Sequence, residues 1–199
     1  VKAVLNLSRR TTYADYLSAA QNSERRLELI DGVIVAMAGG SYEHNAIAGR
    51  FAGLFAARVS PGSLYYAPGQ RFWIEASSRG RCSDGSIICS KPSRPAHDDQ
   101  AATNPLVVVE VLPPTSEGDD EGDKRCDFQS LASLQAYVIA AQDARCVKVY
   151  RRTQRGEWPD EPEVYRGGES FELPRLTRAI AVDEIYEDVL DAAGRSLLA

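Results

Sequence analysis

The spacing of apolar residues changes several times along the 199-residue chain, and each spacing predicts an element. Tyr13, Tyr16, Leu17 and Ala20 fall on one side of a short helix over TYADYLSAAQ, which Thr11 or Thr12 can cap. RRLELIDGVIVAMAGG reads as two apolar strands about Asp31-Gly32, a turn dipeptide suited to positive φ. Ser41 caps a second helix carrying Ile47, Phe51, Leu54 and Phe55 at helical spacing, and Ser60-Pro61-Gly62 stops it. Strands follow at SLYYA and RFWIEA, a loop at SSRGRCSDG, a short strand at SIIC and a polar connection at KPSRPAHDDQAATNP. PPTSEGDDEGD reads as a mobile acidic loop leading into a helix, DKRCDFQSLASL. AYVIAA and RCVKVYR are two more strands, and a Gly-Gly turn precedes a last short helix near VDEIYEDVL. No repeat or linker divides the chain, so this order predicts one α/β (α+β) domain: a mixed sheet with helices packed on it.

One segment breaks its own pattern. Leu106-Val107-Val108-Val109-Glu110-Val111-Leu112 is apolar on both alternating faces and rich in β-branched residues, the mark of a strand covered on both sides. A carboxylate fixed there leaves water, which costs several kcal/mol unless a cation, a donor or a proton compensates it. Asp84 stands at the mouth of the SIIC strand, and the two acids can lie side by side on adjacent strands. Two carboxylates, a backbone carbonyl and waters make a Mg²⁺ site, able to polarise a phosphodiester and acidify a bound water. Lys124, Phe128 and Leu131 share one helical stripe, so Lys124 faces the sheet near the end of the Glu110 strand, where an ammonium can stabilise developing negative charge.

Each of these residues has a plainer reading. Glu110 can be a buried ion pair or a protonated acid, and Asp84 a turn residue in Ser-Asp-Gly. Lys124 can snorkel to solvent or pair with Asp120. Glu28 alternates with Leu27 and Leu29, as a solvent-facing strand residue does. His44 precedes Ile47 and Ala48 on the apolar face of its helix, as a satisfied half-buried histidine does.

Bulk composition narrows the classes. With 44% hydrophobic and 26% charged residues, and no apolar run near the roughly 20 residues of a membrane helix, the chain is neither disordered nor a membrane protein. VKAVLNLSRR is too short and broken for a secretion signal, and the initiator Met is absent. Four cysteines without a CxxC pair, beside two histidines, argue against structural zinc and for reduced thiols in a cytoplasmic protein. The net charge of −5 argues against bulk, non-specific nucleic-acid binding. The basic run Arg145, Lys148, Arg151, Arg152 and Arg155 suits either the wet face of a strand or phosphate contact.

Asp84, Glu110-Val111-Leu112, Asp120-xxx-Lys124-xxx-Phe128 and Ser133-Leu134-Gln135-Ala136-Tyr137 together resemble the Uma family of putative restriction endonucleases, in the PD-(D/E)xK nuclease superfamily. ELIDGVIVAMAGGSYEHN and LPRLTRAIAVDEIYEDV add to the likeness, which runs from about Tyr13 to Val189. The resemblance implies a restriction-endonuclease-like mixed central sheet flanked by helices, with an N-terminal helix and hairpin. It implies an endonuclease that uses Mg²⁺ (or Mn²⁺) to hydrolyse DNA and leave a 5′-phosphate, and a homodimer. Asp84, Glu110 and the Val111 carbonyl would hold the metal and Lys124 would assist the water, with Glu28 and His44 in support. Here Ser83 replaces the family's proline before Asp84, Leu112 occupies the place of the parent motif's lysine, and Phe128 replaces a tyrosine. An alternative therefore stands beside the enzyme: a catalytically weak or inactive dimer of the same fold that binds nucleic acid or protein.

Overall fold

The structure, a computed structural model, describes residues 3–4, 11–37, 39–113, 120–191 and 193–197. After β1 (Ala3–Val4), Thr12 caps α1 (Tyr13–Gln21) through a reciprocal bond with Asp15. The hairpin follows as β2 (Leu27–Ile30) and β3 (Val33–Ala36). Its turn has φ of 52° at Asp31 and 77° at Gly32, the two left-handed positions a twist-matched two-residue hairpin needs. Ser41 caps α2 (Tyr42–Arg58), which leads to β4 (Ser63–Tyr66), β5 (Arg71–Ile74), β6 (Arg79–Cys82) and β7 (Gly85–Cys89). Next come β8 (Ala101–Ala102), β9 (Pro105–Leu112), α3 (Asp120–Gln129), β10 (Ala136–Ala141) and β11 (Cys146–Arg151). The chain closes with β12 (Glu163–Arg166), β13 (Ser170–Phe171), β14 (Ile180–Ala181) and α4 (Val182–Tyr186).

Two six-stranded sheets carry the fold, with β13 and β14 a separate pair. The first runs β1-β3-β2-β6-β5-β8, the second β12-β11-β10-β9-β7-β4. The second is mixed: β9 and β10 are parallel, and its other neighbours are antiparallel. The expected mixed α+β architecture is present, with four helices among the described residues.

β9 sits inside this sheet, covered on both faces as its apolar run predicts. Val107, Val109 and Val111 pack with Ile47, Phe51 and Phe55 of α2 and with Ile185 of α4. Val108 and the half-buried Leu112 pack on the other side with Phe128, Leu131 and Phe72. Strand alternation gives Glu110 the face of Val108 and Leu112, toward α3.

Several boundaries differ from the sequence reading. SSRGRCSDG is no mere loop, because Arg79–Cys82 is a strand pairing with both β2 and β5. The polar connection holds the two-residue strand β8, and the tail adds β12, β13 and β14. The third helix starts at Asp120 and stops at Gln129, so Leu131–Leu134 forms turns rather than helix. Of the acidic loop, residues 114–119 lie outside the described residues. The basic run is largely consumed in structure: Arg145 pairs with Asp183 and Arg151 with Glu163. Arg152 donates to the carbonyls of Gln129, Leu131 and Ala132, capping the end of α3.

Candidate active site

Asp84 and Glu110 meet where β7 and β9 begin to pair. Gly85 is registered with Val109, and the Asp84 amide donates to the Val109 carbonyl at 3.1 Å. Continued by one residue, this register sets Asp84 opposite Glu110, where side chains of an antiparallel pair are neighbours. Both acids are buried, Asp84 at 5% and Glu110 at 2% exposure.

Asp84 is held from two directions. Its Oδ2 accepts from the Val111 amide at 3.0 Å and lies 3.0 Å from His44 Nε2. Its Oδ1 has the Arg26 guanidinium 4.0 Å away. Burial opposes the charge of Asp84, yet the His44 hydrogen bond and the Lys124 ammonium outweigh it and hold the carboxyl below its ordinary pKa. Burial likewise opposes a charge on His44, and the Asp84 carboxylate overcomes it, so the imidazole pKa is raised.

Glu110 is satisfied on one side only. Lys124 Nζ donates to its Oε2 at 2.8 Å, whereas Oε1 is buried with no hydrogen-bond partner among the described residues. Burial pushes the Glu110 pKa up to about 8, more than the Lys124 charge pulls it down, and the nearby Asp84 charge adds to the rise. Burial would lower the Lys124 pKa, but Glu110 and Glu28 together hold it well above the ordinary lysine value.

A further network surrounds this pair. Glu28 is buried at 4% exposure rather than facing solvent, because β2 lies between β3 and β6. Its Oε1 accepts from the Cys82 amide at 3.0 Å and stands 3.5 Å from Lys124 Nζ. Its Oε2 meets Arg81 Nη1 at 3.2 Å. Arg81 also grips Asp127 of α3, with Nε to Oδ2 at 2.7 Å, and Arg79 joins the same carboxylate at 3.2 Å while pairing with Asp31 of the hairpin turn at 2.9 Å. Sequence reasoning missed Arg81 and Asp127. Asp127 lies one helical turn beyond Lys124, on the stripe that faces the sheet, which was a usable signal. Arg81 was hidden by the assignment of its segment to a loop.

All six residues singled out in the sequence thus lie together: Asp84, Glu110, Val111, Lys124, Glu28 and His44. For Val111 the contact seen is its amide, not its carbonyl. Lys124 turns inward to Glu110 and Glu28.

The donor set suits a hard divalent cation. Asp84 and Glu110 each keep one oxygen outside their hydrogen bonds, and Glu110 Oε1 lacks any donor. The carboxylates of Glu28, Asp84, Glu110 and Asp127 are met by Arg81, Lys124, Arg79 and His44. Among the described residues no cluster of three or more His, Cys, Asp or Glu forms a ready-made cage. Mg²⁺ needs none, since one or two carboxylates with water suffice. A cleft of about 550 Å³ opens over Asp84 and His44, with Arg25 and Arg26 on its wall.

Comparison with known proteins bears on the fold and the family. Two uncharacterized proteins of Synechocystis are similar to the chain. One, slr1290, is 29% identical over 173 residues, covering 86% of this chain and 89% of that protein. The other, sll1609, is 26% identical over 148 residues, covering 74% and 84%. A crystal structure from Anabaena variabilis, described as a putative nuclease belonging to DUF820, superposes with a TM-score of 0.72 at 18% identity, over 90% of this chain and 99% of that one. At that identity the likeness is one of fold. Residues 13–183 match the family described as "Uma2: Putative restriction endonuclease", and the chain belongs to that family.

Proposed function

We propose that the protein is a Mg²⁺- or Mn²⁺-dependent endonuclease that hydrolyses phosphodiester bonds in DNA. The observation that carries this reading is Glu110: a carboxylate buried in a strand, with one oxygen on Lys124 and the other without a donor, opposite Asp84. A structural ion pair gains by satisfying both oxygens, because an unpaired buried acceptor costs about 1–3 kcal/mol.

Asp84 and Glu110 would hold the metal, with the Val111 carbonyl as a further ligand. When bound, a divalent ion there would neutralise phosphoryl charge and make a water more acidic. His44 and the Val111 amide fix Asp84 through one oxygen and leave the other for the cleft. Lys124 keeps a permanent positive charge beside Glu110, where it would hold the attacking water and stabilise negative charge on the phosphoryl oxygens. In the reaction the water oxygen bonds to phosphorus and the P–O bond to the 3′ oxygen breaks. The products are a 5′-phosphate and a 3′-hydroxyl.

A homodimer and a cytoplasmic setting belong to the same proposal. The first follows from the family resemblance, and the second is supported by four free cysteines. No helix among the described residues is long and apolar enough to cross a membrane.

The test is cleavage of a supercoiled plasmid and of a circular single-stranded DNA with Mg²⁺ or Mn²⁺, beside Glu110→Gln and a chelator control. Cleavage by the wild type alone, abolished by chelation, is expected. Equal cleavage by the variant, or none by either, overturns the reading and leaves the fold as a binding module.

A further inference from the structure

The cleft over Asp84 does not end at its own wall. Arg25, Arg26 and Glu24 also line an adjoining hollow of about 220 Å³ that reaches Arg71. Three guanidinium groups thus border the second hollow against the single carboxylate of Glu24. Arg25 and Arg26 are exposed, and Arg25 makes no ion pair among the described residues. Beyond Arg71 the character reverses. The next hollow is lined by Asp98 and Asp99, and Asp98 takes both the Arg71 guanidinium, at 3.0 Å, and the Tyr13 hydroxyl, at 2.8 Å.

We propose that this bent groove is a track for one strand of nucleic acid, and that the enzyme takes single-stranded rather than duplex substrate. The inference rests on the hydrolytic reading above and names its substrate class. Asp84 lines the cleft at 5% exposure and Glu110 is buried beside it at 2%, so the phosphate to be cleaved must descend to Asp84. A cleft of about 550 Å³ is the size of a pocket for one small ligand, which pockets of about 300–1,000 Å³ enclose. One strand can enter it. A double helix, whose major groove alone is about 12 Å wide, cannot. Arg25 and Arg26, exposed on the wall of the groove, meet phosphate oxygens. The acidic hollow past Arg71 repels phosphate and sets the far end of the track.

The test uses the full chain in chelator, with a fluorescent oligothymidylate as one probe and its duplex with oligoadenylate as the other, read by anisotropy over a range of salt. The single strand is expected to bind at least about tenfold tighter than the duplex, and Arg25→Glu to weaken it about tenfold and reduce the salt slope by about one. The Arg25 side chain is exposed, and an unchanged unfolding midpoint confirms that the variant folds. Duplex binding as tight as the single strand, or affinity indifferent to Arg25, overturns the proposal. Binding that needs Arg25 without cleavage of either circular DNA refutes the hydrolytic reading and keeps the track. Metal-dependent cleavage with binding indifferent to Arg25 refutes the track alone.

Discussion

Replacing Glu110 by Gln should make the metal-free protein more stable, and increasingly so as the pH rises. The folded protein raises the Glu110 pKa from 4.5 to about 8 by burying it. Between those values the native state holds a proton that the unfolded chain has released. Unfolding then loses bound protons, and stability falls as pH rises across the window and levels off above about pH 8. Each pH unit is worth about 1.4 kcal/mol, so by neutral pH the wild type has lost on the order of 3 kcal/mol from this group. Glutamine cannot titrate and lacks the slope. The measurement is urea unfolding of both proteins in chelator from about pH 5 to about pH 8.5, read as the difference between them so that shared titrations cancel. Lys124 keeps the Glu28 carboxylate 3.5 Å away as a charged neighbour in both proteins. Adding Mg²⁺ should restore the wild type and flatten its slope, since the ion competes with the proton for the same oxygen, and should leave the variant unmoved. A difference that is flat in pH, or that rises in favour of the wild type without metal, refutes the assignment of Glu110 as a buried acid short of compensation.

Three other substitutions probe the surroundings of the pair. Arg81→Met strands Glu28 in the interior and should destabilise by about 3–5 kcal/mol in urea unfolding, with Glu28→Gln in the same chain restoring part of the loss. Lys124→Met should cut cleavage by on the order of 10²–10³-fold while oligonucleotide binding in chelator holds, as the loss of a charge-stabilising group rather than of the groove. Gly40→Ala places a Cβ 2.5 Å from His44 Nδ1, so the imidazole must move off Asp84, and the Mg²⁺-induced rise in the unfolding midpoint should shrink.

Local signals carried the elements whose own residues fix them. Thr12 and Ser41 announced their helices, Asp31-Gly32 its turn, and the β-branched run of β9 its double cover. The site was legible for the same reason. A carboxylate in an apolar strand and a lysine on an apolar helical stripe are anomalies visible without neighbours. β6 was not legible, because Arg79-Gly80-Arg81-Cys82 has no apolar alternation of its own. It becomes a strand by pairing with β2 and β5, and Arg81 tolerates burial only because Glu28 and Asp127 come from two other elements to meet it. The groove beside the site was invisible for a related reason: Arg25-Arg26 and Arg71 are far apart in the chain and share a wall only in three dimensions. The basic run near Arg151 left two readings open in the sequence, and in the structure its arginines mostly serve neighbouring carboxylates and the carbonyls at the end of α3.

Moving the ammonium from strand to helix has a consequence for how the site is built. A lysine at position 112 would be set by the strand itself, but Leu112 packs there with the cluster around Phe128. The charge instead arrives on α3, so its position depends on how that helix docks. Phe128 and Leu131 supply an apolar hold, Asp127 is clamped by Arg81 and Arg79, and Arg152 and Trp158 bond the carbonyls at the helix end. Arg79 runs on to Asp31 in the hairpin turn, and Glu28 of that hairpin touches Lys124. The first sheet is therefore part of the cluster without supplying Asp84 or Glu110. It fixes the distance between the ammonium and Glu110 through buried ion pairs, whose value lies in geometry more than in net stability. On this argument the hairpin is tied to the Glu110–Lys124 pair by charge rather than by hydrophobic contact, and the same hairpin approach, through Arg25 and Arg26, forms the wall of the cleft.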